Sequence, residues 1–296
     1  MNKLTLNAAA NFFSIEKIVK INKMRGGLGN QNYLLIINSG KEYVLRKLVT
    51  QTIKGIENEF AIQKQLSRSN ILTPHFLIGN NGSYHLKIND DVFTCTEKIE
   101  GVHPTTADSR LCKQIGKILA QFHRSVTEMP NPHKGWLNKE IALRDSNKLI
   151  NDPFSYKVKK IINSNLDLFN SKMQIGYIHG DLHFQNMLIT ENGEMAIFDF
   201  EECEKNLLIL DIARTITEVC QKQNKLHGNL IHSFIDGYES VRIITRAEKD
   251  SMCRAIQYVS GASAAWLYLE GFKKYAKENI AIADNLVEAT FFWSFL

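Results

Sequence analysis

Little in this chain is suited to a covalent framework. Its five cysteines, Cys95, Cys112, Cys203, Cys220 and Cys253, are odd in number, widely spaced and without a C-x-x-C pair. That argues against a disulfide scaffold or a zinc ribbon and fits a reducing cytoplasm. No apolar run reaches the roughly eighteen residues a membrane span needs. The N-terminus offers only Lys3 and a three-residue apolar start, a weak signal peptide at best. Lys and Arg exceed Asp and Glu by 36 to 31, a net charge of +5 that is spread out, with no basic block or basic-aromatic stripe to form a nucleic-acid groove. Neither a membrane nor a nucleic acid is expected as a partner. Repeats, low-complexity tracts and long linkers are also missing.

What is there suggests two lobes. A chain of 296 residues exceeds what one compact core usually holds, and 44% hydrophobic residues are enough to fill two. The boundary is expected near Gly101. Residues 1–100 read as short β-like runs with one helix, a small antiparallel sheet. Across residues 101–296 helices dominate, beginning with Leu111, Ile115, Ile118, Leu119 and Phe122 at helical spacing. The fold class is therefore α+β. The stretch from Pro130 to Pro153 holds three of the five prolines and reads as a loop-rich insertion.

Between Tyr177 and Phe200 the chain reads YIHGDLHFQNMLITENGEMAIFDF. His179-Gly180-Asp181 followed by Asn186 keeps the interval of a kinase-type catalytic loop, with the Asp accepting a hydroxyl proton and the Asn on a metal. Asp199 follows Asn186 by thirteen residues, at the end of a β-like run and directly before Phe200. The spacing answers a physical demand, since a triphosphate carries about four negative charges that cations must offset before a nucleophile can approach. Magnesium prefers hard oxygen ligands, and an Asn amide with an Asp carboxylate supplies them without an all-protein cage. Met187 to Ile189 and Met195 to Phe198 are short apolar runs joined by the turn signal Glu191-Asn192-Gly193, which brings the loop and Asp199 to one edge. His179 and His183, four apart, are the rival metal pair. Gly180 is a poor helix former and no third ligand has metal spacing, so a zinc site is not favoured.

Upstream, Met24 to Asn32 is a glycine-dense turn between Ile18–Ile21 and Tyr33–Ile37, with Gly26, Gly27, Gly29 and Asn30 positioned to close over phosphates. In Glu42 to Leu48, strand alternation puts Val44, Arg46 and Leu48 on one face and turns Lys47 away. Glu57 and Glu59 open an amphipathic helix carrying Phe60, Ile62 and Leu66, and Val92 to Gly101 is a strand running into a turn.

These residues resemble the aminoglycoside phosphotransferase and choline kinase superfamily, which writes its loop H-G-D-x-x-x-x-N and its glycine turn like G-G-x-x-N-x-N. The resemblance covers most of the chain and extends to Asp211-Ile212-Ala213, similar to the family's D-[LI]-A segment. It implies a bilobal protein-kinase-like fold, with residues 1–100 as the nucleotide-binding lobe, and transfer of phosphate from ATP, with Mg2+, to the hydroxyl of a small molecule. Asp181 would be the catalytic base, and Asn186 and Asp199 the metal ligands. Val44 would lie against adenine, and Arg46 would stand where the family's strand lysine contacts phosphate, a departure because arginine is forked where lysine is a point charge. Glu59, in preference to Glu57, would steady Arg46, and adenine would meet backbone groups at Glu97 and Ile99.

The acceptor is implied to sit between the catalytic loop and the C-terminal helices, near Glu201, Glu202, Asp236, Tyr238, Trp266, Tyr268 and Glu270. Of these, Glu201 and Glu202, with Glu204 beside them, form an acidic group suited to an ammonium-bearing acceptor. Trp266 shares a helical face with Val259 and Ala262, a pattern that more often marks core. Phe234 to Arg242 with Thr245 to Glu248 is similar to the G-Y-x-x-x-R-x-L-[ST]-x-x-E stretch of type II homoserine kinases, although it lies outside the chemistry. Homoserine or a related amino alcohol is the favoured acceptor. The alternatives are an aminoglycoside, choline or ethanolamine, then a protein kinase, disfavoured by the short interval between Asp199 and Asp211, then a non-catalytic nucleotide-binding module.

Overall fold

The computed structural model describes residues 3–24, 30–170 and 172–293, so Gly26, Gly27 and Gly29 of the glycine-dense turn lie outside the described residues. After helix α1 (Lys3–Phe12) come β1 (Ile18–Lys23), β2 (Gln31–Ile37), β3 (Glu42–Lys47), helix α2 (Ile53–Arg68), β4 (Leu86–Ile88) and β5 (Asp91–Glu97). The strands make one antiparallel sheet in the order β1-β2-β3-β5-β4. Alternation decides its faces. Leu35 on β2, Tyr43 and Leu45 on β3 and Phe93 and Cys95 on β5 point into one core. Val44 and Arg46 therefore face the other way. Ala9 of α1 joins that core beside Phe13, a helix the residue pattern did not mark because so much of its apolar surface is alanine.

Helix α2 starts four residues before Glu57. Thr52 sets its start, the hydroxyl accepting the Gly55 N–H at 3.1 Å and satisfying one of the donors a helix leaves open. Its later turns carry Ile62 and Leu66 into the larger core of the C-terminal part.

That larger core is helical. It is built from α3 (Ser109–Ser125), α4 (Lys139–Lys148), α5 (Pro153–Asn163), α6 (Leu208–Val219), α7 (Gly228–Glu239), α8 (Arg246–Leu269) and α9 (Lys273–Trp293). Between α5 and α6 run four short strands, β6 (Ile175–Ile178), β7 (Met187–Ile189), β8 (Met195–Ile197) and β9 (Glu204–Leu207), and the two-residue strands β10 (Gln221–Lys222) and β11 (Lys225–Leu226) follow α6. Ile115, Leu119 and Phe122 form the buried stripe of α3 that the spacing predicted, and Asp108 caps the helix by accepting the Leu111 N–H at 2.8 Å.

Helices α3 and α7 cross in direct contact. A Cβ on Gly116 would come 2.0 Å from the Phe234 carbonyl oxygen, and one on Gly237 would come 1.9 Å from that of Lys113. Only hydrogen fits at either position, so the two backbones touch.

The Pro130–Pro153 stretch departs from its reading as a loop-rich insertion. Ten of its residues form α4, started by Asn138, whose side chain accepts the Glu140 N–H at 3.0 Å. Prolines flank the helix without entering it, and Pro153 occupies the first turn of α5, where its missing N–H costs nothing.

Candidate active site

Strand β6 pairs antiparallel with β9 and delivers His179-Gly180-Asp181 at its end. The loop is pinned from below by Asp211 in the first turn of α6. One carboxylate accepts the N–H of His179 at 2.7 Å and of Gly180 at 2.9 Å, and also meets Nε2 of His123 at 2.7 Å. Burial pushes the Asp211 carboxyl up, but His123 and the backbone donors outweigh it and hold it below the usual carboxylate range. His179 lies between the rings of Phe122 and Phe200, with centroids 5.6 and 5.3 Å away, and burial pushes its imidazole down. It packs there between the two rings. Gly180 has φ +82°, and a Cβ there would come 2.6 Å from the Glu202 carbonyl oxygen, so the loop turns where only glycine turns freely.

Asn186 and Asp199 are joined by the β7–β8 hairpin, in which Met187 faces Ile197. One step further, the Phe198 N–H donates to the Asn186 carbonyl at 3.1 Å, which sets Asp199 beside Asn186. The Asn186 amide nitrogen donates to the Asp181 carbonyl oxygen at 2.9 Å, which fixes the amide and turns its oxygen away from that bond. Asp199 itself adopts φ +70°, a left-handed conformation unusual for a residue with a side chain. The spacing of Asp181, Asn186 and Asp199 thus brings them to one edge, as expected.

Across from them, Arg46 on β3 donates from Nη1 to both oxygens of Glu59, at 2.9 and 3.2 Å. Glu59 is buried and also accepts from Gln51 at 3.1 Å, while Glu57 turns to Asn131. Lys47, the rival of Arg46, pairs with Asp91 on the opposite face. Asn30 donates to Glu201 and accepts the Val49 N–H at 2.9 Å, tying the turn's exit to the segment that follows Asp199. Val44 lies between Leu34 and Thr96 in the sheet. The Lys98 N–H goes to Glu42 on β3, so alternation turns the backbone groups of Glu97 and Ile99 to the other side. The Glu97 side chain pairs with Lys41.

Glu201, Glu202 and Glu204 lie close enough for Glu202 to act on the charge of both others, but each has its own hydrogen-bond partners. Glu201 meets Asn30 and the Arg46 side of the site, and burial, with Asp199 next to it, pushes its carboxyl up to about 8. Glu202 accepts the Trp136 N–H at 3.2 Å and is pushed up to about 7 by burial. Glu204 is buried beside Asn206, whose side chain it accepts at 2.8 Å, and rises to about 7 for the same reason. Trp266 packs half-buried on the C-terminal core, one turn from Ala262 and two from Val259, near Tyr268, whose ring stacks on Phe154.

Several residues escaped sequence reasoning. Arg214 donates from Nη2 to Oδ1 of Asp181 at 2.9 Å and from Nη1 to Glu218, and lies over the Trp136 ring at 5.1 Å. Nε2 of His183 is 3.3 Å from Oδ2 of Asp181. Burial alone would raise the Asp181 carboxyl, but Arg214 and His183 outweigh it and hold it well below the usual range, so it is ionised at neutral pH. Arg214 stands one helical turn after Asp211, the signal that could have found it. The stretch from Phe234 to Glu248, read as outside the chemistry, is wired to the loop. Tyr238 reaches His123, Arg242 donates to the Tyr238 hydroxyl at 3.0 Å and to Glu248 at 2.7 Å, and Thr245 with Glu248 forms the capping box of α8.

Residues 20–244 match the family described as the phosphotransferase enzyme family. The chain belongs to that family. It is a small-molecule kinase, moving phosphate onto a hydroxyl. Among the family's relatives, a homoserine kinase of Janthinobacterium sp. (strain Marseille) is 23% identical over 271 residues, 86% of this chain and 81% of that protein. The bilobal protein-kinase-like fold is shared with an amicoumacin kinase in complex with AMP-PNP, Ca2+ and Ami, at a TM-score of 0.79 and 18% identity, covering 96% of this chain and 93% of the other. A microcompartment-associated aminopropanol kinase matches with a TM-score of 0.71 at 15% identity, covering 97% and 98%.

Proposed function

We propose that this enzyme transfers the γ-phosphoryl group of ATP, with Mg2+, to the hydroxyl of homoserine or a closely similar amino alcohol, in the cytoplasm. The observation that carries the reading is the convergence of Asp181, Asn186 and Asp199 at one edge, opposite the Arg46–Glu59 pair. The paired Arg46 supports an active enzyme over a non-catalytic module, because it completes the cation–glutamate couple that kinases use.

The residues present suit a magnesium ion. Among the described residues no three His, Cys, Asp or Glu side chains converge to cage a metal. Mg2+ prefers one or two protein oxygens with phosphate and water, and Asn186 with Asp199 supplies that. Glu59 and Asp199 both act on the single guanidinium of Arg46, which leaves negative charge unbalanced there and favours a cation. When bound, the ion neutralises phosphate charge.

The chain's own residues then do the rest. Adenine would lie between the lobes, which we divide near Gly101, against Val44 and the backbone of Glu97 and Ile99. Gly26, Gly27, Gly29 and Asn30 would close over the phosphates, and Arg46 would bind one of them through its fork. Asp181 orients the acceptor hydroxyl. That oxygen forms its bond to the γ-phosphorus as the bond to the β–γ bridging oxygen breaks, ADP departs with the electron pair, and the hydroxyl proton passes to Asp181 and then to solvent. A carboxylate held ionised by Arg214 and His183 is a weak base, which suits a loose transition state in which proton transfer is not the main barrier. Glu202, beside Trp136 and Asp181, belongs to the acceptor side. Glu201 lies towards the nucleotide.

The homoserine kinase relative and the mixed charge around Asp181 support a zwitterionic acceptor. The test is ADP release with ATP and Mg2+ against homoserine, choline, ethanolamine, sugars and aminoglycosides, with Asp181→Asn as control. Turnover on homoserine that the control lowers by about 10²–10⁴ is expected. Turnover on choline or an aminoglycoside but not homoserine would overturn the acceptor, and undiminished turnover in the control would overturn the role of Asp181.

A further inference from the structure

The guanidinium of Arg214 carries more than its part in holding Asp181 ionised accounts for. It is 8% exposed, lies over the Trp136 ring, and shares its terminal nitrogens between Asp181 and Glu218. Its third donor, Nε–H, is buried with no partner. A buried donor without an acceptor is costly, and charged groups are costlier still. An arginine desolvated this far, with a free donor and two carboxylates at its other end, is arranged to receive an oxygen anion from outside the chain.

We infer that Arg214 is the residue that selects an acceptor bearing a carboxylate, and that Glu218 meets the same acceptor's ammonium group. The inference rests on the proposed function and deepens it. A hydroxyl held at Asp181 puts the rest of a small acceptor within reach of Arg214, which is 2.9 Å from the same carboxylate. Arginine's planar fork matches a carboxylate in two parallel hydrogen bonds, where lysine offers a point charge. Glu218, four residues along the same helix, then trades its arginine partner for the ammonium group, so charge is conserved in the filled site. An amino alcohol without the carboxylate leaves the Arg214 donor unmet. It also leaves Glu218 and Asp181 competing for one guanidinium.

The experiment compares kcat/KM for L-homoserine and 3-aminopropan-1-ol, which lacks only the carboxylate, in the wild type and in Arg214→Met and Arg214→Lys. The wild type is expected to prefer homoserine by about 100-fold, the scale of a lost charge-assisted pair. Arg214→Met should bring the ratio to within about threefold of unity, chiefly through KM, and Arg214→Lys should restore part of it. If Arg214 only steadies Asp181, both substrates slow together and the ratio stays, which overturns the inference. Equal use of both compounds by the wild type overturns it without any variant, so a misfolded Arg214→Met does not protect it. Activity on neither compound would overturn the homoserine reading itself, a different outcome from an unchanged ratio.

Discussion

The Tyr238 hydroxyl lies 2.6 Å from Nδ1 of His123, in the buried middle of the C-terminal lobe. Through that contact the α7–α8 corner reaches the catalytic loop, since the other nitrogen of His123 holds Asp211 and Asp211 holds the backbone of His179 and Gly180. The relay fixes the backbone of the loop that leads into Asp181.

Tyr238→Phe removes a hydroxyl from between two polar groups, His123 and Arg242, that have little access to water. A stability loss of about 1–3 kcal/mol is expected from urea unfolding. Because the loop is loosened and no nucleotide contact is touched, kcat should fall several-fold at unchanged KM for ATP. Equal stability with full kcat would show that the relay is idle.

Arg46→Ala leaves Glu59, 2% exposed, without its cation. Removing one partner of a buried pair costs about 3–5 kcal/mol, because the remaining charge stays desolvated. Arg46→Lys should recover most of the stability and retain binding of ATP, read by calorimetry. A loss under about 1 kcal/mol in the alanine variant would mean that Gln51 and Gln63 suffice for Glu59.

Glu204 gives a pH dependence whose sign can be worked out. Burial pushes its carboxyl from 4.5 up to about 7, so between those values the native state keeps a proton that the unfolded chain has released. Stability therefore falls as pH rises through that window, by on the order of 3 kcal/mol for a fully buried group. Glu201 and Glu202 act in the same direction. Glu204→Gln should make the fall in melting temperature from pH 5 to pH 7 shallower without abolishing it; a slope equal to the wild type's would remove Glu204 from the account.

Asp199→Asn tests the metal site without disturbing the backbone, because asparagine tolerates the left-handed φ of +70°. The Mg2+ concentration for half-maximal ADP release should rise about tenfold or more once the charge is lost. Unfolding without nucleotide should change little. An unaltered Mg2+ requirement would move the metal to other ligands.

The contrast between what the residues foretold and what they hid follows the distance over which each contact is made. Asp181, Asn186 and Asp199 were legible because one hairpin joins them and the chemistry fixes their intervals. The Arg46–Glu59 pair was legible because strand alternation and the start of the next helix narrow the choice. His123 and Tyr238 meet across 115 positions, and His123 and Asp211 across 88, so no local period marks them. The glutamates after Asp199 misled for a related reason. They are near neighbours in the chain and feel one another's charge, yet Glu201 meets Asn30, Glu202 the Trp136 N–H and Glu204 the Asn206 side chain, partners no local spacing marks. Prolines around α4 likewise read as loop although they only frame a helix.

The close approach of α3 and α7 at Gly116 and Gly237 has a consequence for exchange between relatives. Because neither α3 nor α7 has room for a methyl group at the crossing, the two helices must keep matching surfaces, and α3 carries His123 while α7 carries Tyr238. A chimaera that takes residues from 200 onward from another kinase of this fold would inherit one half of that joint without the other. The workable seams for recombination lie outside the pair, so α3 travels with the C-terminal helices even though the catalytic loop separates them in the chain.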